Sequence, residues 1–141
     1  MSVKNETMRV FVYSNILISA VLSEKSISSQ LLEYIIEYHQ LVICSYSITE
    51  VSRVINKKFP NKVNIWDQFL TTLEFELTYT PSDHRPYSIP DIRDEKDIPI
   101  LVSLVIAEPD ILITGDKDFH TDEIKEYFTL YSPSDFLRDF T

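Results

Sequence analysis

The chain has one glycine, one cysteine and fewer bases than acids, and each shortage narrows what it can be. The lone cysteine, Cys44, rules out a disulfide within the chain, and its place in the apolar run "LVICS" reads as a small core residue rather than a reactive thiol. Thirteen bases against twenty-two acids leave a formal charge of −9, which excludes tight, nonspecific capture of a polyanion over the whole surface. Any contact with a nucleic acid must be local or assisted by cations. Long apolar segments are also missing. The opening "MSVKNET" lacks the apolar core of a signal peptide, and the longest apolar run, Ile98 to Ala107, is interrupted by Pro99 and Ser103. A soluble, cytoplasmic protein with no membrane contact is expected. No repeat, low-complexity tract or linker divides the chain, and 141 residues at 44% hydrophobic suffice for one packed core. Because Met8 stands immediately before the first strand signal, residues 8–141 are expected to form a single domain and residues 1–7 a short N-terminal extension.

What is present alternates between two periodicities. The strand pattern "MRVFV" leads through a polar Ser14-Asn15 pair into the apolar helix "NILISAVL". Ser26 or Ser28 can cap a helix that carries Leu31, Leu32, Ile35 and Ile36 on one face. "LVIC" reads as a buried strand. "SYSITEVSRVINKKF" and "NKVNIWDQFLTTLEF" each place apolar residues on one helical face, forming a hairpin around Pro60. "FELTYT" alternates as a third strand, and "PSDHRPYSIPDIRDEKD" is a Pro-rich, charged loop of the length that often carries function. The all-round apolar helix "IPILVSLVIA", the strand "DILITG", the helix "DEIKEYF", the strand "TLYS" and a proline-opened helix "PSDFLRDF" complete the chain. Strand–helix alternation of this kind predicts an α/β domain with a central, mostly parallel sheet flanked by helices.

Several acids stand where such a sheet places its chemistry, each with an ordinary explanation beside it. In "LITGDKDF", Gly115 lies where a buried strand must turn sharply or approach a ligand, and Asp116 and Asp118 follow; a solvated acidic turn would account for both. Asp97 precedes an apolar helix with Pro99 in its first turn, so helix capping would account for it, and Asp94 and Glu95 are near enough to substitute. Glu50 follows Ser47 by three residues, which fits a capping box. On the same helix Glu50, Arg53 and Lys57 share one stripe; the two bases could track a phosphate backbone or form a solvated face. In a parallel sheet, strand C-termini and the helix starts that follow them share one edge, where Glu50, Asp116 and Asp118 would meet. Asp97 joins them only if its helix start folds back to that edge. Crowded carboxylates repel unless protonated or neutralised by cations. Hard ions such as Mg²⁺ and Mn²⁺ take oxygen ligands, and a pair about 3.5 to 4 Å apart can serve phosphodiester cleavage.

These motifs, in this order, resemble the PIN-domain nucleases, and in particular the VapC-like toxins of toxin–antitoxin pairs. The resemblance runs from Met8 nearly to the end of the chain. It rests on "YSNILISAVL" from its second residue onward, on Glu50 early in the helix after the second strand, on Asp97 three residues before Ile100, on "TGDKDF" and on the closing "SPSDFL". It implies a metal-dependent endoribonuclease in which Glu50, Asp97 and Asp116, with Asp118 as a further candidate, hold Mg²⁺ or Mn²⁺. Ser14 and Asn15 would organise the site, while Arg53 or Lys57 would steady the RNA. It also implies RNA as substrate and an antitoxin protein as partner, for which Trp66 and its helical hairpin could supply a groove if Trp66 is not simply core; a homodimer is left open.

The departure is at the first acid of the family pattern, a direct metal ligand, whose place Tyr13 takes. The resemblance therefore implies an activity impaired in this chain, either as a natural inactive descendant or through a single-base loss-of-function change in a toxic enzyme. The intact remainder of the acid set favours the second. The reading from another class is a PIN fold kept as a non-catalytic protein- or RNA-binding module. A receiver-like domain is disfavoured, because the pocket lysine it needs after the last strand is missing from "TLYSPS".

Overall fold

The computed structural model describes residues 6–141. Of the expected N-terminal extension, residues 1–5 lie outside the described residues, and Glu6 and Thr7 are exposed. Five strands, β1 (Arg9–Val12), β2 (Gln40–Cys44), β3 (Glu76–Thr78), β4 (Ile111–Ile113) and β5 (Leu130–Tyr131), form one sheet in the order β3-β2-β1-β4-β5. Every pairing is parallel, so each connection must cross over one face of the sheet. The helices α1 (Ser14–Leu22), α2 (Ile27–Tyr38), α3 (Ser45–Lys58), α4 (Val63–Thr72), α5 (Ile98–Ala107) and α6 (Asp122–Tyr127) lie in those crossings, α7 (Pro133–Phe140) follows β5, and together they cover both faces.

The two-residue period of the strands sorts the core. Val10, Val12, Leu41, Ile43, Ile111 and Ile113 project to one face, where they pack with Leu17, Leu31, Val51, Ile55, Trp66 and Phe136. Phe11, Val42, Cys44 and Leu112 project to the other, against Ile100, Leu101, Leu104, Phe119 and Ile124. Phe11 sits in register with both Val42 and Leu112, which makes β1 the sheet's centre and explains why it is apolar on both sides. Cys44 is buried, as its apolar run predicts. Trp66 is core: its ring is 1% exposed, stacks on Phe69 at 5.9 Å, and its Nε1 donates to Ser52 Oγ at 2.8 Å.

Local signals are partly confirmed. Ser26 caps α2 by accepting from the Ser29 N–H at 3.1 Å, and Pro60 opens a short 3-10 turn between α3 and α4. The capping box is not formed. Helix α3 begins at Ser45, two residues before Ser47, so Ser47 lies inside the helix, fully buried with its Oγ 3.3 Å from Cys44 Sγ, and Glu50 stands in the second turn. The third strand is shorter than its alternation suggests, and residues 79–94 form neither helix nor strand.

Glycine is not where the backbone most wants it. Gly115 does not take a positive φ, and a Cβ there would meet only Asn15 Nδ2 at 3.6 Å, an ordinary contact, so the turn after β4 does not require glycine. Among the described residues the one left-handed position is Glu108, with φ 47° and ψ 55°, at the C-terminus of α5. Arg9 holds this turn: Nη1 donates to the carbonyls of Ala107 (2.6 Å) and Glu108 (3.1 Å), and Nε donates to Glu76 at 3.1 Å. The left-handed conformation is unfavourable for a residue with a Cβ. Glu108→Gly should therefore stabilise the protein by about 0.5–1 kcal/mol, read as a higher urea midpoint at unchanged slope.

Candidate functional site

The C-terminal ends of the strands converge on one edge, and the order β2-β1-β4 brings three chain segments together there. After β1 come Tyr13, Ser14 and Asn15; after β2 comes α3 with Glu50; after β4 comes the turn Thr114–Phe119 with Asp116 and Asp118. The start of α5 folds back to the same edge, where the Tyr13 hydroxyl donates to Asp97 Oδ1. Asp97, Asp116 and Asp118 each bring a carboxylate oxygen within 4.8 Å of the others. Glu50 stands outside that trio, although its charge acts on Tyr13, Tyr46 and Asp97.

Each acid is held by a local device. Asp97 does not cap α5; Asp94 does the capping one turn earlier, accepting from the Lys96 N–H at 3.0 Å, which leaves the Asp97 carboxylate for Tyr13. Asp116 caps the short turn that follows, accepting from the Asp118 N–H at 2.9 Å, while its own N–H donates to Thr114 Oγ1 at 3.0 Å. Asp118 receives a two-pronged pair from Arg93, Nε at 2.9 Å and Nη2 at 2.8 Å, which holds its carboxyl below the usual range. Arg53 and Lys57 are both exposed on α3, as a solvated stripe would be. Asn15 is exposed at the site edge, whereas Ser14 is buried with no hydrogen-bond partner for its Oγ.

Tyr13 sets the electrostatics. It is 8% exposed, and its ring lies 5.0 Å from that of Phe119. Burial, then the hydrogen bond to Asp97 and the surrounding carboxylates, push its phenol far above the ordinary tyrosine value, so it is neutral and can only donate to Asp97. Burial also raises the Asp97 carboxyl; the bond from Tyr13 opposes that rise, and the charges of Asp116, Asp94 and Glu50 add to it. The trio is right in chemistry for a hard divalent cation. Tyr13 engages one oxygen of Asp97 and Arg93 both oxygens of Asp118, so an ion held there would share these carboxylates with the two donors.

Two residues of the site had no signal of their own in the sequence. Arg93 is one base in the charged loop before α5, and only the fold carries it to Asp118. Tyr46, half-buried in the first turn of α3, donates from its hydroxyl to the Lys96 carbonyl at 3.3 Å and so ties α3 to the turn that carries Asp97.

Two substitutions test this electrostatic account. Tyr13→Phe leaves a buried carboxylate without its donor and should cost about 1–3 kcal/mol at pH 7, measured by denaturant unfolding. Asp97→Asn keeps an acceptor for Tyr13 but removes the buried charge. Because the folded Asp97 titrates above its unfolded value, its ionisation lowers stability as pH rises through the folded pKa. Asn should therefore raise Tm at pH 7, and the gain should vanish below about pH 4, the ordinary carboxylate range.

Residues 9–118 match the family model described as the PIN domain. No curated protein matches the sequence. Among solved structures, the chain is similar to VapBC2 from Rickettsia felis bound to a DNA fragment from their promoter (14% identity, TM-score 0.64, covering 89% of this chain and 98% of that one). It is similar also to VapBC-1 from nontypeable Haemophilus influenzae (13%, TM-score 0.59, covering 90% and 99%). A third is VapC20 from Mycobacterium tuberculosis, a sarcin–ricin loop cleaving toxin (7%, TM-score 0.55, covering 78% and 92%). At these identities the likeness is one of fold, and it agrees with the parallel sheet. With 110 consecutive residues under one family model, the chain belongs to the PIN domain family.

Proposed function

We propose that this protein is a VapC-like toxin of a toxin–antitoxin pair, built for Mg²⁺- or Mn²⁺-dependent cleavage of single-stranded RNA and attenuated as its sequence stands. The observation that carries the reading is the gathering of Asp97, Asp116 and Asp118 at the strand-end edge of a PIN fold. Tyr13 carries the attenuation: by family resemblance it takes the place of the first acid, and it spends its hydroxyl on Asp97. An aspartate at that position would add a carboxylate and remove the ring. Glu50, beyond the trio, would then serve the same cation set, with Ser14 and Asn15 shaping the edge and Arg53 and Lys57 steadying the backbone of the RNA.

On this reading the antitoxin binds away from the acids. An apolar groove between α1, α2 and α4, lined by Ala20, Val21, Leu32, Ile36, Ile65 and Phe69, suits an amphipathic segment of that partner. Ile65 is 44% exposed on its wall, so an apolar partner would bury surface now in water. A cytoplasmic setting follows from the same reading. Among the described residues no helix is long and apolar enough to cross a membrane.

The second reading, a PIN module that binds RNA without cutting it, is favoured by the closed Tyr13–Asp97 contact. One comparison separates the two. The protein as it stands, Tyr13→Asp, and Tyr13→Asp combined with Asp97→Asn are assayed on single-stranded RNAs of varied sequence with Mg²⁺, with Mn²⁺ and with chelator, beside a Mn²⁺ titration. Activity is expected to run low, high, low, with the high value abolished by chelator and Mn²⁺ affinity raised at least about tenfold by Tyr13→Asp. A folded Tyr13→Asp protein that binds Mn²⁺ and cuts no RNA would leave the non-catalytic module as the better account.

A further inference from the structure

We propose that a cleft beside the acid cluster, formed by the first turns of α3 and α5 and the chain after β3, is a binding site for an unpaired nucleobase, with Tyr46 as its stacking surface and Thr49, Ser82 and His84 as its polar contacts. The proposal rests on the RNA reading above and extends it from cleavage to recognition.

The cleft is lined by side chains of one character. Tyr46, Thr49, Ser82 and His84 stand with Pro81 and Pro99 around it, and no carboxylate or lysine lines it. In a chain of formal charge −9, an uncharged cleft adjoining a carboxylate cluster suits the uncharged part of a polyanion, its base, better than a phosphate. Unpaired bases are recognised by stacking on aromatic rings and by hydrogen bonds to their edges, and tyrosine and histidine rings with nearby hydroxyls supply both.

The cleft is also built rather than incidental. Its floor is a closed hydroxyl lattice. Ser45 Oγ accepts from the Thr80 N–H at 2.9 Å, Thr80 Oγ1 accepts from the Tyr46 N–H at 3.2 Å and pairs with Ser103 Oγ at 2.7 Å, and Ser103 Oγ donates to the Pro99 carbonyl at 2.8 Å. These bonds join α3, α5 and the segment after β3. Thr49 and Ser82 are exposed at the rim and His84 is half-buried, with their side chains outside that lattice. Tyr46 lines the cleft and donates to the carbonyl of Lys96, the residue before Asp97. A base held on its ring would therefore lie next to the carboxylates, which sets which nucleotide is presented to them.

The test is binding in chelator, where cleavage cannot intervene. Fluorescence anisotropy is measured with labelled ten-nucleotide homopolymers of each base and with an abasic strand of the same length. The intact bases are expected to bind, with unequal affinities, and the abasic strand about 5- to 100-fold more weakly. Tyr46→Leu should weaken every base by a similar factor and Tyr46→Phe should retain binding, because only the ring is needed. Thr49→Ala and His84→Ala should narrow the differences between bases. Arg85→Ala, a charge removed from the same loop outside the cleft, should change affinity less than about twofold, which controls for net charge. Equal binding of the abasic strand, or binding untouched by Tyr46→Leu, Thr49→Ala and His84→Ala, overturns the base site and leaves the RNA reading standing. Absence of any RNA binding by the folded protein, together with no cleavage by Tyr13→Asp, overturns both.

Discussion

Parallel pairing of β1 with β2 on one side and β4 on the other is the constraint from which the rest of the molecule follows. Because Phe11 is in register with Val42 and with Leu112, the three strands end within one residue of the same level. The residue that leaves β1, Tyr13, is then flanked by the segments that leave β2 and β4, and its N–H bonds to the Ile113 carbonyl at 3.1 Å. A shift of one residue in that register would turn every strand side chain to the opposite face and carry Tyr13 away from Asp97. The hydrophobic sorting of the two faces thus also positions the polar edge.

At that edge the physical difficulty is negative charge. Asp97, Asp116 and Asp118 lie within one ligand sphere of each other, with Glu50 and Asp94 near enough to act on Asp97. Repulsion of this kind is relieved by cations, by protonation or by hydrogen-bond donors. This protein uses donors: a neutral phenol on Asp97, a guanidinium on Asp118, and a backbone N–H on Asp116. The Tyr13 hydroxyl thus donates to a carboxylate that would otherwise be buried without a donor.

Surfaces of different chemistry surround the acids. Carboxylates occupy the strand ends, an uncharged hydroxyl-rich cleft lies beside them, and an apolar groove lies between α1, α2 and α4. Tyr46 links the first two, since it lines the cleft and its hydroxyl reaches the turn that carries Asp97.

Much of the architecture was legible in the chain alone. The alternation of strand and helix periods implied a parallel sheet; Ser26, one of two candidate caps, and Pro133 stand at helix starts that are observed, with Pro60 between the helices of the hairpin; and three of the motif acids, Asp97, Asp116 and Asp118, lie together at the edge. Local rules misled wherever one residue type serves two purposes. Ser47 and Glu50 have capping-box spacing but sit inside α3; Asp97 stands where a cap should be but gives its carboxylate to Tyr13; and Gly115 looks obligatory although the left-handed residue is Glu108. Periodicity and composition are properties of neighbouring residues, so the sequence by itself determined the elements, their order and the two apolar faces. Which donor neutralises which acid joins residues 84 apart in Tyr13–Asp97 and 25 apart in Arg93–Asp118, and only the tertiary structure decided those pairs, because the partners meet only after the strands have paired and the loop before α5 has folded back onto their ends.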